Sequence, residues 1–239
     1  MKKSICGLVA LMACAVSSGA MASVVFNGSA KCSWGNAIHA TDTVYSIANG
    51  DAGGVASINW GVPAETTQAD NQFTCNGAGS DGSGDWSGLA NESFKIADFS
   101  YRNGSTFNGD LSAVDLQIAL DISGPVVLAE DFAFKFLVTN TPNETGDPVL
   151  DGDIVSIAGS GVTSAAFGYG GVNYTLQLLG FSTDGGATLS DGFKSPEGAN
   201  QAAGIYAKVT VQEVPEPGTL ALVAVAGMAL PLVRRRKLV

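Results

Sequence analysis

The chain has 239 residues, 22 of them acidic and 12 basic, for a formal net charge of -10 at neutral pH. That balance disfavours nucleic acid and anionic membrane surfaces as partners, since both need clustered cations to displace counter-ions. A single histidine excludes multi-histidine metal centres.

Met1-Lys2-Lys3, an apolar stretch from Ile5 to Val16 and the small-residue site Ala20-Met21-Ala22 read as a secretory signal peptide over residues 1–22. The mature chain would then begin at Ser23, delivered by the Sec translocon. Leu11-Met12-Ala13-Cys14 offers a competing lipoprotein reading with Cys14 acylated, but its apolar core is short. Between Ser23 and Pro217 lie all 22 acidic residues and only six cations (Lys31, Lys95, Arg102, Lys135, Lys194 and Lys208), so the exported part carries sixteen net negative charges. Cys6 and Cys14 leave with the signal. Cys32 and Cys75 remain, in a chain bound for an oxidising compartment, and one disulfide between them is the simple reading. A metal pair is the weaker one, because neither a Cys-x-x-Cys spacing nor a partnering histidine accompanies them.

Residues 23–212 are long enough for one domain with a sizeable core. Strand-like words come first at Val24–Trp34, Thr43–Ala48, Val55–Trp60 and Gln72–Cys75. Phe94 and Ile96 alternate with their neighbours, but Phe99 and Tyr101 do so in the opposite phase. In Asp115–Ile122 the side chains of Leu116, Ile118, Leu120 and Ile122 share one face. Phe132, Phe134, Phe136 and Val138 repeat the pattern around Lys135, and Ile154–Ala158 follows. Tyr174, Leu176 and Leu178 shift phase at Leu179 and Phe181, the signature of a bulge or of a strand buried on both faces. Ile205, Ala207, Val209 and Val211 close the domain. Glycine-rich Asn76–Gly84, Gly159–Gly171 and Ser182–Gly192 read as loops, and no stretch carries a helical period. Roughly ten strands without helices predict an all-β fold, an antiparallel β-sandwich of jelly-roll type.

Catalytic chemistry is hard to assemble from these residues. His39, in an expected loop before Thr41-Asp42, has no nucleophile elbow near it. Carboxylates are plentiful enough for a glycosidase-type pair, which requires a fixed separation across a cleft. Asp147, Asp151 and Asp153 place three carboxylates near one turn and make Ca²⁺ the one cofactor suggested, although no terminal Glu of an EF-hand follows them. Asp81-Gly82-Ser83-Gly84-Asp85 has a similar spacing. Trp34, Trp60, Trp86 and Tyr101 are candidates for a sugar-stacking platform. Trp60 reads as core, and Trp86, set among Gly84, Asp85, Ser87 and Gly88, reads as the exposed one. Asn-x-Ser/Thr sequons occur at Asn27, Asn91, Asn103, Asn143 and Asn173.

The tail, residues 213–239, has three parts. Val214-Pro215-Glu216-Pro217-Gly218 is followed by uncharged Thr219–Val233 and then by Arg234-Arg235-Arg236-Lys237. As a helix the apolar part would reach about 22 Å, short of a hydrocarbon core of about 30 Å, so it spans as a single transmembrane helix only with local thinning and snorkelling arginines. The basic end would stay cytoplasmic. This order resembles the PEP-CTERM sorting signal of bacterial exoproteins. The resemblance implies an exosortase-type membrane protease or transpeptidase acting at Pro215, Glu216 and Pro217, so the inner-membrane anchor would be temporary.

The passenger is similar to the choice-of-anchor K, or THxN, group over about Val55 to Val211. Ser57-Ile58-Asn59-Trp60-Gly61, Thr141-Pro142-Asn143 and Asp153-Ile154-Val155 carry that likeness, and in Ser100-Tyr101-Arg102-Asn103 only Asn103 keeps the named motif. That likeness bears on fold and export route; with no catalytic constellation in the chain, the reading is an exported, non-enzymatic protein with a structural or adhesive role in the envelope, biofilm or exopolysaccharide matrix. A carbohydrate-binding module for exopolysaccharide is the alternative, and a carboxylate-dependent glycan hydrolase or lyase comes third.

Overall fold

A computed structural model describes residues 24–50, 55–79, 85–158 and 164–212. The signal peptide expected at 1–22 and the tail at 213–239, with Pro215, Glu216, Pro217, Arg234, Arg235, Arg236 and Lys237, lie outside the described residues, as does most of the Asp81–Asp85 loop.

The strands, numbered in chain order, form two antiparallel sheets. Across the first run β14 (Gly192–Ser195), β11 (Asp153–Ala158), β10 (Leu128–Thr139), β9 (Leu111–Gly124), β1 (Val25–His39) and β6 (Trp86–Leu89). Across the second run β12 (Ser164–Tyr169), β13 (Val172–Ser182), β15 (Asn200–Gln212), β7 (Ser93–Arg102), β5 (Asn71–Gly77), β3 (Ala56–Trp60) and β2 (Tyr45–Ala48). A short ribbon of β4 (Val62–Pro63) and β8 (Thr106–Phe107) sits at one end. Among the described residues there is no helix, and the fold is the expected antiparallel β-sandwich.

Alternation in the sequence becomes the inner face of each sheet. Leu116, Ile118, Leu120 and Ile122 of β9 are buried, as are Phe132, Phe134 and Phe136 of β10. The Phe136 ring meets Phe73, Phe99 and Phe181 of the opposite sheet at centroid distances of 6.1, 5.5 and 5.3 Å. Each such burial is worth about 1.5–3 kcal/mol, so a few facing rings hold the sheets together. Cys32 on β1 and Cys75 on β5 are joined by a disulfide across the core, with their Cα atoms 5.8 Å apart.

The two phase breaks are bulges. On β13 the register against β15 slips between Leu178 and Gly180, so both Gly180 and Phe181 turn inward. On β7 one extra residue, Ile96, sits between partners of Ile205 and Tyr206, and Ile96 and Ala97 are both buried. Three strands occupy or abut expected loops. β12 lies within Gly159–Gly171, β14 begins at the end of Ser182–Gly192, and β6 follows the Asn76–Gly84 loop. All three are edge strands of four to six residues, too short and too glycine- or alanine-rich to show a period. β1 extends to His39, so that histidine ends a strand; its Nδ1 lies 2.7 Å from the Ala40 carbonyl oxygen and its ring packs on Tyr45.

Chain direction gives the sandwich two unlike poles. At one pole Val24 accepts a hydrogen bond from the Ala90 amide, the Asn91 amide donates to Val209, and Gln212 pairs with Asn173. The described chain therefore starts and ends there. At the other pole, where Asn200 pairs with Arg102, the loops β4–β5, β7–β8, β10–β11 and β14–β15 come together. Along β15 the two poles are about 40 Å apart at about 3.3 Å per residue.

Candidate functional site

The four loops at the far pole enclose an open cleft of about 530 Å³. Thr67, Gln68 and Ala69 line it from the first loop, Arg102 to Ser105 from the second, Asn143, Gly146, Pro148 and Asp151 from the third, and Glu197 and Gly198 from the fourth. A second hollow of about 310 Å³ shares Gly104 and Asn143 with it and continues over the β8 ribbon. Gly104 lets the loops meet, because a Cβ there would collide with the Ala69 carbonyl oxygen.

Behind the cleft lies a buried polar network. Tyr101, fully buried, donates from its hydroxyl to Asp153 Oδ2 at 2.8 Å and lies 3.3 Å from Asn103 Oδ1. Asn103 donates to the Ser195 carbonyl at 3.0 Å, and the Ser195 hydroxyl donates to the Tyr101 carbonyl at 3.3 Å. The backbone of Asn103 is tied to the fourth loop through Ala199 and Gly198. Asn71 accepts from the Gly104 amide at 2.7 Å and donates to the Thr106 hydroxyl at 3.0 Å. Burial, then the charge of Asp153 and its hydrogen bond, then Glu197, all push the Tyr101 hydroxyl up, so it stays protonated.

The aspartates singled out for calcium hold the third loop in shape. Asp151 accepts from the Thr145 amide and hydroxyl at 3.1 and 2.8 Å and from the Gly146 amide at 2.9 Å. Burial pushes its carboxyl up, but these donors outweigh burial and hold it below the usual range. Asp153 accepts from the Thr141 amide and hydroxyl at 2.8 and 3.1 Å, besides Tyr101. Asp147 accepts from the Val149 amide at 2.8 Å. All three thus accept from backbone or hydroxyl donors, and among the described residues no three His, Cys, Asp or Glu side chains converge as a metal-ligand set.

The aromatic platform is overturned. Trp34, Trp60, Trp86 and Tyr101 all belong to the core, with Trp86 only 3% exposed. Trp86 opens β6 and stacks on Phe94, centroids 4.7 Å apart and planes 14° from parallel. Gly28 opposite makes room for the indole, since a Cβ there would come within 2.7 Å of it. Ser87 and Gly88 beside Trp86 thus belong to a short edge strand, which composition alone does not separate from a loop. Asn103, one of the sequons, is buried as well and closed to glycosylation in the folded chain.

Glu197 is the residue sequence reading missed. It lines the cleft, yet its Oε1 is shielded and has no hydrogen-bond partner. Partial burial and then the charge of Asp153 push its carboxyl above the usual range, with Asp151 adding to them, while Asn143 and Ser105 act in the opposite sense. Arg102, which also lines the cleft, donates from Nε to the Asp70 carbonyl at 3.0 Å and pairs through Nη2 with the Asp70 carboxylate. Its charge is therefore matched within the protein. Nothing in Pro196-Glu197-Gly198 distinguishes this acid from the other twenty-one; the groups that act on it come from two other loops and the start of β11.

What the chain adds to this sandwich is an address. Residues 213–237 match the family model of the PEP-CTERM protein-sorting motif. The molecule is thus an all-β passenger on a C-terminal sorting signal, exported across the membrane and sorted to the cell surface by exosortase-dependent processing. The match covers the tail alone, and no curated protein matches the sequence.

Proposed function

We propose that this protein is a structural or adhesive component of the cell envelope or extracellular matrix, non-catalytic, that presents its four-loop cleft outward. The observation that carries the reading is polarity. The sorting tail continues from Gln212 at one pole, and the cleft lies at the other, about 40 Å away by strand length. A passenger held by its tail at the membrane, even briefly, has its cleft directed away from that membrane, towards matrix or neighbouring cells. Cleft residues drawn from loops on a rigid sandwich suit recognition.

Adhesion of cells exporting the full chain to their own matrix tests this. Asn143→Trp, at an exposed position lining the cleft, should abolish the adhesion. Val127→Trp, at a residue 86% exposed beside the tail-bearing pole, should leave it intact. Equal effects of the two changes would overturn the outward-cleft reading.

A further inference from the structure

We propose that the cleft binds a hydroxyl-rich saccharide unit carrying an amine, with Glu197 receiving the ammonium group. The inference rests on the outward-cleft reading and names the ligand class for that site.

Size comes first: about 530 Å³ falls within the range of small-ligand pockets and admits a sugar residue with its neighbour. The lining is the second argument. Gln68 and Asn143 offer planar amides, Thr67 and Ser105 hydroxyls, and Glu197 a carboxyl, paired donors and acceptors of the kind that engage neighbouring sugar hydroxyls. Charge selects among saccharides. Arg102 is the sole cation among the lining residues, and Asp70 already neutralises it, whereas Asp151 and Glu197 face the cleft with Asp153 behind them. Uronates, sulfated sugars and phosphate would meet uncompensated negative charge. Finally, Glu197 Oε1 lacks a donor, and a buried unsatisfied carboxyl oxygen is costly. Rotation of the Glu197 side chain towards an entering ammonium supplies that donor and offsets the negative field with a charge-assisted hydrogen bond. A neutral hydroxyl repairs only the first of these two deficits.

The test is calorimetric titration of the full chain with a glucosamine tetramer, its fully N-acetylated counterpart and a galacturonate oligomer. Binding should follow the order amine, acetylated, acidic, with at least tenfold between the first two. Glu197→Gln should remove that tenfold preference while its melting temperature at neutral pH is not lowered, which separates loss of binding from loss of fold. Equal binding of the amine and acetylated oligomers would overturn the proposal, and so would tighter binding of the galacturonate. Stabilisation by calcium chloride alone, lost in Glu197→Gln, would also overturn it by making Glu197 a cation ligand. If the amine preference fails while Asn143→Trp still abolishes matrix adhesion, the ligand class falls and the outward-cleft reading stands.

Discussion

Tyr101→Phe isolates one hydrogen bond in the network behind the cleft. The ring contacts with Trp60 at 5.7 Å and Phe73 at 4.8 Å survive, so no cavity of consequence opens. What disappears is the hydroxyl donor to Asp153 Oδ2 at 2.8 Å. Asp153 is buried, and Thr141 serves only its Oδ1, so the change leaves a desolvated carboxylate oxygen without its donor. Such a loss costs about 1–3 kcal/mol, towards the upper end when the acceptor is charged. At about 2–4 °C per kcal/mol for a domain of this size, the melting temperature should fall by about 5–10 °C. Thermal and urea unfolding at neutral pH, with an unchanged m-value, would measure it. Asp153→Asn added to Tyr101→Phe should recover part of the loss, because an amide is cheaper to bury than a carboxylate. A fall below about 2 °C would refute the account, since the hydroxyl would then contribute no more than a surface contact.

Replacing both Cys32 and Cys75 by Ser should cost about 2–4 kcal/mol, since the bond closes a loop with a sequence separation of 43; reductant should lower the melting temperature of the parent and leave the variant unchanged. Trp86→Ala should destabilise by about 3–5 kcal/mol through loss of the buried stack on Phe94, with saccharide affinity intact in the fraction that remains folded. Two kinds of carboxyl give opposite pH slopes. Asp184, held at about 2 by the Ser182 hydroxyl and Thr188, and Asp151, lowered by Thr145 and Gly146, contribute stability present above pH 3.8 and lost as the pH falls below it. Glu197 is raised, so the folded chain binds its proton more tightly and stability declines as the pH climbs from about 4.5 through the raised value. Glu197→Gln should therefore melt higher than the parent above that window and equally below pH 4, and a uniform offset at every pH would refute the assignment.

Legibility in the sequence followed the range of the signal. Wherever a strand is long and central, as in β9, β10 and β15, alternation of Leu, Ile, Phe and Val marked its inner face, and even the bulges at Ile96 and Gly180 showed as phase breaks. Edge strands such as β6 and β12 were opaque because half their residues are small and their order comes from backbone pairing with β1 and β13. Cys32 and Cys75 could be paired because they are the two cysteines left once Cys6 and Cys14 are assigned to the signal peptide. Trp86 misled because its glycine neighbours signal a turn locally, whereas its burial depends on Gly28 and Phe94 on other strands. In the Asp147–Asp153 segment the carboxylates accept from Thr145, Gly146 and Val149 and, for Asp153, from Thr141 and Tyr101, partnerships that charge spacing along the chain does not reveal.

The cleft was invisible for a related reason, and that reason bears on how it works. Its lining comes from positions 67 to 198, one short segment per loop, so no contiguous word in the chain encodes it. Three loops are fastened to one buried network: Asp153 anchors the third loop, Ser195 and Ala199 the fourth, and Asn103 joins the second to the fourth while the Tyr101 hydroxyl between Asn103 and Asp153 links them to the third. Asn71 ties the second loop to the start of β5 on the first wall through the Gly104 amide. Such satisfied networks are cooperative, so loosening one member should shift the others rather than a single wall. The Tyr101→Phe and Asn71→Ala changes are therefore expected to be non-additive although Tyr101 and Asn71 make no hydrogen bond to each other. Additivity of their unfolding free energies within about 0.3 kcal/mol would show that the loops are set independently, and would remove the physical basis for a preorganised cleft.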